Sequence, residues 1–159
     1  MKNIAAFIIL LFVSAALYAQ EIKPISLNTL KQRFEKGKDT IYVINFWATW
    51  CAPCIQEMPY FENLQQNYKS QPLKVIFLSM DFKSQLESRV KPLIKKMSIR
   101  NESFLAEKKN DQEFIEQVSK DWEGAIPGTL FVNLNKHLWK FFQREFTYEE
   151  LEKTYQSLK

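Results

Sequence analysis

The sequence is poor in the residues that build small or metal-held proteins. Its 159 residues include two cysteines, one histidine, three glycines and six prolines. Two cysteines cannot staple a disulfide-dense mini-protein. With one histidine they cannot close a four-ligand zinc site unless carboxylates help. So few glycines and prolines exclude collagen-like and low-complexity chains. The longest apolar run, Ile4 to Val13, falls short of the ~20 residues that span a bilayer. The net charge of +4 reads as spread along the chain, without the basic stripe of a nucleic-acid binder.

What remains is 46% hydrophobic and 25% charged, enough to bury the core of one domain. Residues 1–19 stand apart from it. Lys2 precedes the apolar run, and Ser14-Ala15-Ala16-Leu17-Tyr18-Ala19 follows it. A basic start, a short apolar stretch and a small-residue exit make a secretory signal, with cleavage expected after Ala19. Loss of Lys2, its one charged residue, leaves a net charge of +3. An uncleaved N-terminal anchor is the alternative. Residues 20–159 then form the domain, expected in the periplasm or another extracytoplasmic space where disulfides persist.

Along the domain, Ser26 or Asn28 caps a helix that ends at Gly37. Thr40 to Trp47 is β-branched and aromatic, and reads as a strand buried on both faces. A helix containing Pro59 follows from about Cys51 to Lys69. Leu73 to Met80 is a second buried strand. Ser84 to Met97 is helical but interrupted at Pro92. Ser103 to Ala106 is a short strand, and Asp111 to Val118 a helix. Gly128 to Val132 and Leu138 to Phe142 form a hairpin. Thr147 and Glu150 are the capping box of a last helix. The pattern predicts an α/β domain, a mixed sheet with helices on both faces.

Cys51-Ala52-Pro53-Cys54 lies where the first buried strand meets its helix. A cysteine at a helix N-terminus gains from orphan N–H groups and the helix dipole, which favour thiolate. Cys51 is expected exposed and nucleophilic; Cys54, about one turn deeper, is expected to resolve a mixed disulfide. A structural disulfide or half of a zinc site are the other uses of such a pair. A staple over so short a gap restricts the unfolded chain little. Glu57, three residues after Cys54, shares its helix face. If that face is buried, its pKa rises and it becomes a proton acceptor; if not, it is a solvated glutamate. Trp50 is a candidate docking aromatic, and Trp47 reads as core. His137 lies in the hairpin turn and reads as solvated. Lys95-Lys96 and Lys108-Lys109 read as solvated faces.

Trp47-Ala48-Thr49-Trp50-Cys51-Ala52-Pro53-Cys54, with Glu57-Met58-Pro59 and the distant Ala125-Ile126-Pro127, resembles the thioredoxin superfamily. Within it the chain is similar to the extracytoplasmic TlpA/ResA-like thiol–disulfide oxidoreductases, over about residues 38–159. The resemblance implies a thioredoxin fold with a small strand–helix insertion before the cis-proline strand. The 73 positions from Cys54 to Pro127 leave room for it. It implies that Pro127 is cis and faces the cysteines, and that Ile126 pairs with the substrate backbone. It implies an acid–base role for Glu57, since the strand position where ordinary thioredoxins carry an aspartate is Asn45. No cofactor or metal is implied. The implied partners are protein disulfide or dithiol substrates and a membrane or soluble thiol electron donor, with the chain a monomer that reduces disulfides, for example in cytochrome c maturation. In the hairpin turn the asparagines are expected to take the left-handed positions where the family often has glycine. Two other functions share these residues: a peroxiredoxin-like peroxidase, and a copper metallochaperone using Cys51, Cys54 and His137.

Overall fold

Every residue of Ile41–Trp47 is buried, as a run with no polar alternation requires. In the computed structural model, which describes residues 21–159, this strand is the middle of the molecule. The expected leader lies outside the described residues. Six strands and five helices follow one another as β1 (Lys23–Ser26), α1 (Leu27–Lys36), β2 (Ile41–Trp47), α2 (Ala52–Asn67), β3 (Leu73–Ser79), α3 (Lys91–Lys96), β4 (Glu102–Glu107), α4 (Asp111–Val118), β5 (Gly128–Asn133), β6 (Leu138–Phe142) and α5 (Tyr148–Leu158). A 3₁₀ turn (Lys83–Gln85) and a π turn (Leu86–Val90) lead into α3.

The sheet order is β1-β4-β3-β2-β5-β6. β1, β4, β3 and β2 run parallel, while β5 and β6 are antiparallel to their neighbours. Strand alternation sorts the core into two layers. Val43 and Trp47 of β2, with Val75 and Phe77 of β3, pack under α2, α3 and α5. Tyr42, Ile44 and Phe46, with Ile76 and Leu78, pack under α1 and α4. Asn45, the one polar residue inside β2, therefore points into the layer that holds α2. β1 escapes sequence reading: it is four residues long, contains Pro24, and exists only because β4, far along the chain, supplies its partner.

Local chemistry sets the element ends. Ser26 caps α1 by accepting from Thr29 N–H, and Thr147 caps α5 through a reciprocal capping box with Glu150. Pro92 lies where the π turn Leu86–Val90 passes directly into α3, and it supplies no N–H to the helical ladder there. Pro59 lies inside α2, where it removes one ladder bond. At Gly128 the Phe141 ring packs onto the backbone: a Cβ there would stand 2.7 Å from it and would push the ring aside. In the β5–β6 turn it is His137, not an asparagine, that adopts positive φ (50°). The asparagines are used otherwise. Asn133 accepts from Lys136 N–H and donates to the Asp39 carbonyl, and Asn135 bonds the Asp39 carboxylate. Among the described residues no helix is long and apolar enough to cross a membrane.

Candidate active site

The loop Ala48–Cys51 leaves the end of β2 and turns at once into α2. Cys51 is the N-cap of α2, and its sulfur accepts from the Cys54 N–H at 3.3 Å. Cys51 and Cys54 are joined in a disulfide, with Cα atoms 5.3 Å apart. Both belong to the apolar layer beneath α2. Cys51 is only 5% exposed, which corrects the expectation of an open thiol. The reason is its capping role, which turns the sulfur back toward the helix. Trp50 carries the exposure instead, at 63%, while Trp47 is wholly buried.

Glu57 lies one turn beyond Cys54 on the buried side of α2 and is 2% exposed. Its Oε1 accepts from Asn45 Nδ2 and its Oε2 from the backbone N–H of Phe146, each at 2.8 Å. Burial pushes its pKa up to about 7, although the Phe146 and Asn45 bonds pull the other way. Nearby Glu145 adds to the rise and Arg144 opposes it. Asn45 faces Thr129 across the β2–β5 ladder, with Nδ2 to Thr129 Oγ1 at 3.5 Å. Its own Oδ1 has no partner among the described residues.

On the antiparallel side, Phe46 is opposite Gly128. The register thus brings Pro127 to the end of β2 where the cysteine loop begins. The Ile126–Pro127 peptide is cis. Pro127 is buried and Ile126 half-buried, and Ile126 packs against the layer that holds both cysteines.

A second buried carboxylate escapes the sequence reading. Asp81, just past β3 and 2% exposed, accepts from Thr49 N–H (2.9 Å), Thr49 Oγ1 (2.6 Å) and Ser79 Oγ (2.8 Å). It ties the cysteine loop to β3. An aspartate directly after an apolar strand was the available signal, but its partner lies 32 residues back. Phe146 was equally hidden, because its contribution is a backbone amide. His137 is at the far end of the sheet from the cysteines, since Asn133 pairs with Leu138 beyond the start of β2. Among the described residues no cluster of three metal-ligating side chains occurs.

The AhpC/TSA family profile matches residues 12–140. The chain belongs to the AhpC/TSA family. Among curated proteins similar to this AhpC/TSA chain is the thiol-disulfide oxidoreductase ResA of Oceanobacillus iheyensis. It is 46% identical over 39 residues, which is 24% of this chain and 20% of that protein. ResA of Bacillus cereus is 38% identical over 80 residues, 50% of this chain and 40% of that protein. The matches thus span two fifths or less of these relatives. The crystal structure of a thioredoxin-family thiol:disulfide interchange protein from Chlorobium tepidum superposes with a TM-score of 0.63 at 19% identity. It covers 79% of this chain and 84% of that one. This AhpC/TSA domain therefore has the thioredoxin fold.

Proposed function

We propose that this chain is an extracytoplasmic thiol–disulfide oxidoreductase that exchanges its Cys51–Cys54 pair with protein substrates, in the reducing direction. The observation that carries the reading is a disulfide capping a helix N-terminus, with a buried carboxylate whose pKa lies near neutrality one turn further on.

In the reduced protein the Cys54 N–H and the end of α2 stabilise a Cys51 thiolate. That thiolate attacks one sulfur of a substrate disulfide. A mixed disulfide forms and the other substrate sulfur leaves as thiolate. Glu57 takes the proton of Cys54, which then attacks Cys51 sulfur and releases the second substrate sulfur. The two leaving thiolates collect two protons. The protein has lost two electrons and the substrate has gained them. Ile126, preceding cis Pro127, offers backbone to an extended substrate segment, and exposed Trp50 offers an aromatic anchor. A thiol donor then restores the dithiol.

The leader-like residues 2–19 support the extracytoplasmic location, and the ResA resemblance supports the direction. A reduction potential of about −270 mV fits a reductant, and one of about −120 mV an oxidant. Cys54→Ser should accumulate a mixed disulfide with the natural substrate, identifiable by mass spectrometry, and Cys51→Ser should abolish exchange. A Cys54→Ser protein that captures no partner counts against the reading. The peroxidase alternative needs the Thr49 hydroxyl beside the reacting sulfur, but that hydroxyl is committed to Asp81. Peroxide turnover without disulfide turnover would favour it nonetheless. The copper alternative is opposed by the remote His137.

A further inference from the structure

The surplus charge is not spread along the chain. Residues 83–96 hold five basic side chains (Lys83, Arg89, Lys91, Lys95, Lys96) and one acidic (Glu87), a net of +4, equal to that of the whole sequence. All other residues together are neutral. Lys91 is paired with Glu87, whereas Lys83, Arg89, Lys95 and Lys96 are exposed and form no ion pair among the described residues.

This segment borders the redox site. Arg89, Pro92, Leu93 and Lys96 recur at helical spacing on one face, and with Thr49 they line an open groove of about 330 Å³. Its middle is apolar and its two ends are cationic. Thr49 is two residues before Cys51 and is held by Asp81, from which the segment departs. Phe82, at the start of the segment, is 72% exposed. Trp50, next to Thr49, is also exposed, so the Thr49–Asp81 bonds join two segments that each carry an uncovered aromatic. An apolar floor, cationic ends and exposed aromatics on segments tied to the cysteine loop suit a peptide bearing carboxylates.

Resting on the oxidoreductase reading above, we propose that the face formed by residues 82–96 docks an acidic polypeptide segment flanking the substrate's reactive cysteine. It selects, among protein disulfides, those set in acidic sequence. Arg89 and Lys96 engage carboxylates on either side, Pro92 and Leu93 cover an apolar residue between them, and the field of Lys83 and Lys95 speeds encounter.

The test uses the full chain, reduced, with three cyclic peptides whose single disulfide is flanked by Asp and Glu, by Ser, or by Lys. Exchange is followed by quenched thiol labelling and mass spectrometry. At low ionic strength the acidic peptide should react about tenfold faster than the serine peptide, and the lysine peptide slowest. The differences should close at about 0.5 M salt, where screening is short-ranged. Arg89→Glu with Lys96→Glu should invert the order. Lys36→Glu with Lys120→Glu, the same charge change on exposed positions of the opposite layer, should keep it. Equal rates for the three peptides at low salt, or an order untouched by the Arg89/Lys96 reversal, overturn the docking face and leave the oxidoreductase reading standing. Flotation with phosphatidylglycerol vesicles, together with equal peptide rates, would assign the face to an anionic membrane instead. If none of the peptides is reduced, the oxidoreductase reading itself falls, and the docking role with it.

Discussion

Glu57 and Asp81 are equally buried, each 2% exposed, and each is tied to the cysteine segment, yet they are built for different work. A carboxylate offers about four acceptor positions. Asp81 spends three of them, on Thr49 N–H, Thr49 hydroxyl and Ser79 hydroxyl. Glu57 spends two, on Asn45 and Phe146, and burial lifts its pKa to about 7. The first carboxylate holds a loop in place. The second keeps acceptor positions free at a pKa of about 7, the condition that the proposed proton role of Glu57 requires. At equal depth the two differ in the number of donors the fold aims at each.

The contrast can be broken most forcefully at Asp81. Asp81→Ala strands three buried or half-buried donors and should lower stability by about 3–5 kcal/mol, measured by denaturant unfolding of the oxidised protein. A loss below about 1 kcal/mol would show that the network does not hold the loop. Glu57→Gln tests the other side. The folded pKa of Glu57 lies above its unfolded value, so its contribution favours folding most below about pH 4.5. That contribution is lost as pH rises through about 7. The wild type should lose about 3 kcal/mol across that window from this group, and the Glu57→Gln protein should not. Parallel pH profiles for the two proteins would remove the distinction. Asn45→Ala is the finest probe. It deletes a donor to the ionised form, so the Glu57 midpoint should climb by about one unit, seen by carboxyl-region NMR. A midpoint that falls would mean that Asn45 serves the neutral acid.

Much of this was legible in sequence because it is local. The uninterrupted apolar run of β2 and the Thr147–Glu150 box each specify structure within a few residues. So does a cysteine pair at a strand–helix junction. Spacing alone placed Glu57 beside Cys54, but its burial depends on α5 closing over α2. The unread parts share one property: their partners are distant. β1 needs β4, Asp81 needs Thr49, and the Glu57 carboxylate needs an amide 89 residues on. The cationic face was missed for another reason. Five basic residues in fourteen positions look like solvent-facing helix until Thr49 is seen to line the same groove. The low exposure of Cys51 likewise follows from its sulfur capping α2, a geometry that residue spacing does not show.

The hydrogen bond from Phe146 to Glu57 also sets an order of events. A ribosome delivers a polypeptide from its amino end, so Cys51, Cys54 and Glu57 all emerge well before Phe146 does. During that interval Glu57 lacks both the Phe146 amide and the burial that raises its pKa. The raised pKa of Glu57 is therefore acquired late, only when α5 and the segment before it seat over α2.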